Sequence, residues 1–199
     1  MRDFGRLIQA FQCWDQDAHD AFRSGRPLLD CVLQNRAELI ALCEWIEQTG
    51  IRSYLEIGVW TGRLTSLLEQ LFAFDLLYTC DWGVAEQWHA IHLPEKAQSF
   101  WGSSHSIEYM AWRNTLGHID LIMIDGDHSY EGVKQDFLIN TRYPHKYIAF
   151  HDIAGASPAT EGVRQFWQEL KGNKLSFVLP NPDVSEPEAM MGIGIWWPS

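Results

Sequence analysis

The sequence has no long hydrophobic run, no excess of positive charge, no close pair of cysteines and no repeat or low-complexity tract. Each absence removes a class of protein. A membrane-spanning helix needs roughly 20 continuous apolar residues, and every apolar stretch here is broken well short of that, so no membrane role is expected. Only 15 Lys and Arg stand against 26 Asp and Glu, for a formal net charge of -11. The basic residues are scattered instead of forming a stripe, which argues against nucleic acid as a partner. Cys13, Cys31, Cys43 and Cys80 lack the spacing of a disulfide framework, and no charged start followed by an apolar segment marks a secretory leader. A reducing cytoplasm is the expected setting.

What is present is enough for a folded core. At 199 residues and 46% hydrophobic content, one domain can be stabilised without disulfides. Phe4, Leu7, Ile8, Phe11 and Trp14 fall at helical spacing, so residues 4 to 14 are expected to form an amphipathic helix. Its apolar stripe should cover either the mouth of a site or a symmetric partner, giving a homodimer in the second case. Beyond it, "AELIALCEWIEQTG" reads as a helix closed by Gly50, followed by the strand "SYLEIG" and a helix from about Arg63 to Leu71. "LLYTCD", "QSFWG", "IDLIMID" and "KYIAFHD" read as further strands. Helices are expected near residues 104 to 115, over "YEGVKQDFLI" and over "TEGVRQFWQELK", with "LSFVL" and "GIGIWW" as closing strands. "LPNPDVSEPEAMMG" between these last two reads as an exposed loop bordering the site.

Alternating strands and helices predict a mostly parallel sheet covered on both faces, with ligands bound beyond the carboxyl ends of the strands. That edge is where the acids fall. Asp81, Asp125 and Asp152 each follow a different apolar strand, and Glu56 lies inside the end of the first. One acid after a strand is ordinarily a cap for the next helix; four together point to a site.

The first strand also lacks the dinucleotide fingerprint. In "LEIGVWTGRLT", Gly58 and Gly62 stand four apart with Trp60 where a pyrophosphate needs a bare backbone. Glu56 would repel a diphosphate and attract an ammonium group. Asp81, 25 residues on, is placed to accept hydrogen bonds from ribose hydroxyls. A nucleoside joined to a cationic tail satisfies both.

"LEIGVWTG", "CDWG", "IDLIMIDGDHSYEGVKQDF" and "AFHDI", in this order, resemble a class I S-adenosylmethionine-dependent methyltransferase. The last two motifs are similar to the small-molecule O-methyltransferase branch that includes the cephalosporin-hydroxylase-like proteins and, more distantly, catechol and caffeoyl-CoA O-methyltransferases. The resemblance covers about residues 37 to 197. It implies a Rossmann-like, doubly wound, seven-stranded α/β sheet, mostly parallel with an antiparallel last strand and helices on both faces. Residues 31–199 would form the methyltransferase domain and residues 1–30 an N-terminal helical extension.

The resemblance also implies roles. Glu56, Gly58 and Gly62 would belong to the loop on the methionine part of S-adenosylmethionine, Asp81 would hold the ribose, and Trp82 would stack on adenine. Gly102 and Ser103 would line the adenine side, and Asp125 would touch both cofactor and acceptor. In the metal-dependent branch Asp125, His151 and Asp152 would hold a divalent cation, Mg or Mn. His128 falls where the catechol and caffeoyl-CoA enzymes carry a lysine thought to act as base. His151 departs from the usual oxygen ligand, and "RYPHKY" departs from the glycine-rich turn before the fifth strand, so metal-assisted and metal-free sites both stay open.

Methyl transfer asks the protein to align an acceptor oxygen and make it nucleophilic. A cation lowers the pKa of a bound hydroxyl, and a nearby imidazole can take its proton at neutral pH. Asp125, His128 and Asp152 are therefore the expected catalytic residues, acting on a small-molecule hydroxyl acceptor. His89, His92, His105, His118 and His145 are assigned no role and read as solvated. Two rival readings remain: a metal-dependent glycosyltransferase or hydrolase using "DGD" and "HD", and a cofactor-binding homologue without catalysis.

Overall fold

The apolar run Ile119–Ile124 forms a strand whose alternate side chains enter two separate cores. Leu121 and Met123 join one, and Ile122 and Ile124 join the other. This is the period-two signature of a sheet buried on both faces. The computed structural model describes residues 2–185 and 191–198. Its strands are β1 (Ser53–Ile57), β2 (Leu76–Asp81), β3 (Gln98–Trp101), β4 (Ile119–Ile124), β5 (His145–Phe150), β6 (Asn173–Phe177) and β7 (Ile193–Trp197). They lie in the order β3-β2-β1-β4-β5-β7-β6. The first five pair in parallel, and β7 is inserted antiparallel between β5 and β6.

The helices are α1 (Phe4–Ile8), α2 (Gln16–Arg23), α3 (Arg36–Thr49), α4 (Arg63–Phe72), α5 (Ile107–Thr115), α6 (Tyr130–Asn140) and α7 (Glu161–Glu169). Leu39, Leu42 and Ile46 of α3 and Leu64, Leu67 and Leu68 of α4 pack on one sheet face with Phe4 and Ile8. Tyr109 of α5, Val133 and Phe137 of α6, and Val163, Phe166 and Trp167 of α7 pack on the other. The expected seven-stranded α/β sheet with helices on both faces is the observed one.

The N-terminus differs from its expected form. The stripe over residues 4 to 14 is not one helix: α1 ends at Ile8, and the chain then extends so that Cys13 bridges Val32 in parallel. The backbone groups of this segment are needed by that pairing, with Val32 N–H donating to Gln12 and Trp14 N–H donating to the Gln34 carbonyl. A helix cannot supply those bonds, which overrides the helical spacing. Asp15 then caps α2, which the sequence reading missed, by accepting from the Ala18 amide at 3.0 Å. Phe4, Ile8 and Trp14 are buried inside the chain itself, and Leu7 is the most exposed of the stripe. The stripe thus packs on the sheet face and, through Trp14, lines a cavity, while Leu7 is left exposed.

The segment after β6 is tied to the same region. Glu38, wholly buried in α3, accepts the Leu179 amide at 3.0 Å and the Gly192 amide at 2.8 Å, so one carboxylate holds both stems of the β6–β7 connection. Asn181 donates to the Trp14 carbonyl at 2.8 Å. Of the expected loop at 179–192, residues 186–190 lie outside the described residues.

Because Phe4 is only 1% exposed, Phe4→Ala should cost about 3 to 5 kcal/mol, as large core truncations do. Urea unfolding checks this, and an unchanged midpoint would show that the N-terminal segment is detached in solution.

Candidate active site

The loop after β1 is shaped first by packing. Gly58 adopts φ +84°, and a Cβ there would meet the Asp125 carbonyl at 2.3 Å. The glycine therefore lets the tips of β1 and β4 touch, with Gly58 N–H donating to Cys80 and Asp125 N–H donating to Ile57, both at 2.8 Å. Gly62, at φ +76°, is similarly fixed by the His92 carbonyl, 2.8 Å from where a Cβ would stand. Both glycines, expected on the cofactor's methionine side, are thus required by close approaches within the chain, and Gly58 also lines the cavity at the strand tips. Trp60 between them holds φ +50°, an uncommon conformation for so bulky a residue and one that costs energy. Its ring packs on Trp88 and His89.

The strand tips open on a cavity of about 880 Å³. Glu56, Gly58, Trp60, Asp81, Trp82, Ser103, Asp125, His128, His151 and Asp152 line it, whereas Gly62 and Gly102 are not among its lining residues. Trp14, Phe22, Leu28, Leu33 and Met191 add apolar side chains to its lining. The stretch before α3 is tied to α4 by an Arg63–Asp30 ion pair at 2.7 Å and to the β2–β3 connection by His89 Nε2 at 2.8 Å from the Leu28 carbonyl.

Two chemically different halves follow. In the first, Glu56 is wholly buried and accepts from Tyr54 Oη at 2.9 Å and Thr65 Oγ1 at 2.7 Å, both on Oε2. Burial pushes its pKa up to about 8, the two hydroxyls partly opposing and Asp125 and Asp81 reinforcing the rise. Asp81 accepts from the amides of Val59 at 2.7 Å, Trp60 at 3.3 Å and Gly83 at 2.6 Å. Three of the roughly four lone-pair positions of a carboxylate are then engaged. Trp82 beside it is 72% exposed, so its ring is open to stacking.

In the second half Asp125 is shared. Its Oδ1 lies 3.2 Å from His128 Nε2 and 3.1 Å from His151 Nδ1, and its Oδ2 accepts from Gln34 Nε2 at 3.2 Å. Asp152 Oδ2 stands 3.7 Å from His128 and 3.6 Å from His151. Burial acts to raise Asp125, yet the two imidazoles hold it below the usual carboxylate range. Burial acts to lower His151, yet Asp125 and Asp152 drive it up to about 10; His128 is raised likewise, chiefly through its bond to Asp125. Asp152, at φ +62°, is raised by burial, with the imidazoles opposing.

The ligand grouping departs from the expected one. Asp125, His128 and Asp152 offer donor atoms that all lie within 4.8 Å of one another. His128 thus joins the two carboxylates in that group, while His151, 3% exposed, bonds Asp125 from the buried side. Gln34 and His105, which also line the cavity, carried no sequence signal. Gln34 is 91 residues from the acid it touches, and His105 had been read as solvated.

Glu56 gives a stability test. Its folded pKa lies above its unfolded value, so between about pH 4.5 and about 8 the folded state binds the extra proton and stability falls as pH rises. Glu56→Gln removes that slope. Relative to the unsubstituted protein, the variant should gain stability between pH 5 and pH 8 in urea unfolding; a parallel pH dependence would contradict the burial assignment.

Residues 55–153 match the family model described as "Methyltransferase domain". Among curated proteins none matches the chain. Solved structures do: the O-methyltransferase TomG of Streptomyces achromogenes, involved in tomaymycin synthesis and in complex with SAM, is 14% identical with a TM-score of 0.58, covering 100% of this chain and 91% of that one. The O-methyltransferase of Bacillus cereus in complex with SAH is 14% identical with a TM-score of 0.60, covering 100% and 92%. No helix among the described residues is long and apolar enough to cross a membrane. With the matched residues running from β1 to the tip of β5 and β7 inserted antiparallel beside β5, residues 55–153 match a methyltransferase domain and the described sheet has the fold of these O-methyltransferase structures.

Proposed function

We propose that the protein transfers the methyl group of S-adenosylmethionine to a hydroxyl oxygen of a small molecule. The observation that carries this reading is the convergence of Glu56, Asp81, Asp125 and Asp152 on one cavity, where the acids divide into a nucleoside-fitting half and a half bearing imidazoles. The two solved structures, one with SAM and one with SAH, support the same reading. Four buried cysteine thiols suit a reducing cytoplasm.

Glu56 receives the cofactor's ammonium group and loses its own proton in doing so. Asp81 accepts from the ribose. Because three backbone amides already occupy most of its acceptor capacity, it takes one hydroxyl rather than two. Trp82 stacks on adenine, and Ser103 lines the adenine side.

At the other half the acceptor hydroxyl stands between the apolar lining and Asp125. Its oxygen forms a bond to the methyl carbon as the bond to sulfur breaks, and its proton passes to His128, whose ring Asp125 orients. The grouped donors of Asp125, His128 and Asp152 fit a divalent cation of borderline hardness such as Mn, and also accept Mg through their carboxylates. When bound, such an ion would acidify the hydroxyl. His128 would then be its ligand, and His151 would hold Asp125 in place.

Calorimetry with S-adenosylhomocysteine tests the cofactor half. Asp81→Ala should weaken binding at least about tenfold, the worth of a charge-assisted hydrogen bond; unchanged affinity removes the ribose role.

A labelled methyl donor with a panel of hydroxylated acceptors tests the other half. Methyl transfer should stop in chelator and return with Mn or Mg while S-adenosylhomocysteine still binds, and Asp152→Ala should copy the chelated state. Full activity in chelator would leave His128 as base without a metal. In that case the rate should rise with pH above the ordinary imidazole range, because the carboxylates delay loss of the His128 proton, and His128→Ala should lose about 10² to 10⁴ in rate.

A further inference from the structure

At the cavity wall away from the Asp125 cluster lies a second histidine–carboxylate pair. Asp136, on α6, is 0% exposed. Its Oδ1 lies 3.1 Å from His105 Nε2, and among the described residues no hydrogen-bond donor meets either oxygen in good geometry. Burying a carboxyl group this way costs several kcal/mol unless a partner compensates. His105 is that partner. It lines the cavity with its chain neighbours Ser103 and Ser104, and Asp81, Trp82 and Asp127 line the same cavity. Its backbone amide is fixed by Ser103 Oγ at 3.1 Å. With Nε2 committed to Asp136, Nδ1 is the nitrogen left for a bound molecule.

We propose that His105 donates a hydrogen bond from Nδ1 to a ring nitrogen of the cofactor's purine, and that Asp136 is the positioning residue that keeps its ring oriented and doubly protonated. The inference rests on the cofactor reading above and adds to it a proton that must be present for full affinity. A neutral imidazole with its proton on Nε2 presents a lone pair at Nδ1 and repels a ring nitrogen, whereas the imidazolium donates. The charged and titratable groups around His105 act in one direction. Asp136 from α6 and Asp127 from the β4–α6 loop raise its pKa, Asp136 most, with the Gly132 backbone adding to them and partial burial opposing. Asp81 at the tip of β2 adds a further acid to the cavity lining. Cys80 and Tyr109, which lie near Asp136, are both held protonated by burial. The donor state is therefore lost only as pH rises above the ordinary imidazole value of 6.5.

The test is calorimetric titration of the full chain with S-adenosylhomocysteine from pH 6 to 9, comparing the unsubstituted protein with His105→Ala, His105→Gln and Asp136→Asn. Taking the ratio of dissociation constants cancels the titration of Glu56 and of the Asp125 cluster. The His105→Ala ratio should be about tenfold at pH 6, the value of one charge-assisted hydrogen bond, and should shrink toward unity by pH 9. His105→Gln, which keeps a donor without a titrating group, should recover much of the affinity and show no such change relative to pH 9. Asp136→Asn should move the affinity loss to lower pH; if that variant does not fold, the His105 variants decide alone. A ratio that stays constant with pH, or that equals one at pH 6, overturns the proposal while leaving the cofactor reading intact. Absence of binding by the unsubstituted protein overturns both.

Discussion

The carboxylate of Asp125 is the interaction on which the rest of the site depends. One oxygen is shared by His128 and His151 and the other is held by Gln34, so groups from β4, the β4–α6 loop, the tip of β5 and the segment before α3 meet at a single side chain. A buried carboxylate is costly unless it is paired and hydrogen-bonded. Here the pairing holds Asp125 below the usual carboxylate range and both imidazoles above theirs.

Holding that carboxylate in place has consequences for the backbone around it. β1 and β4 approach so closely at their tips that position 58 admits only glycine, and the β5 tip carries Asp152 in a left-handed conformation. Trp60 is likewise held at positive φ beside the cavity. Such conformations persist only where surrounding structure over-determines them, and they cluster at functional sites. Here the supports are visible: the Asp81 carboxylate gathers the amides of Val59, Trp60 and Gly83, and the ring of Trp60 rests on Trp88 and His89. Asp81 therefore organises the loop beside the cavity it lines.

The N-terminal segment belongs to this arrangement. It seals one sheet face with Phe4 and Ile8, supplies apolar lining with Trp14, Phe22, Leu28 and Leu33, and delivers Gln34 to Asp125. None of these residues lies within the matched domain at 55–153. The matched part of the chain thus carries the acids at the strand tips, while the apolar lining from Trp14 to Leu33 comes from sequence outside it.

By itself the sequence determined the sheet, its strand-end acids and the absence of a dinucleotide loop, because these follow from short-range patterns: an apolar run fixes a buried strand, and the residue after it must lie at the sheet edge. The strands at β1, β2, β4 and β5 and the acids Glu56, Asp81, Asp125 and Asp152 were legible in this way. Tertiary structure alone decided what those acids touch. Helical spacing over residues 4 to 14 gave way to backbone pairing with Val32, since hydrogen bonds between distant segments leave no local trace. His128 and His151 both reach the two carboxylates, at 3.2 and 3.7 Å and at 3.1 and 3.6 Å, and His128 joins them in one compact group of donors. Gln34 meets Asp125 across 91 residues, and His105 of the β3–α5 loop meets Asp136 of α6. Pairings of that kind depend on where the packed helices bring side chains together, and that is a property of the whole core rather than of any stretch of sequence.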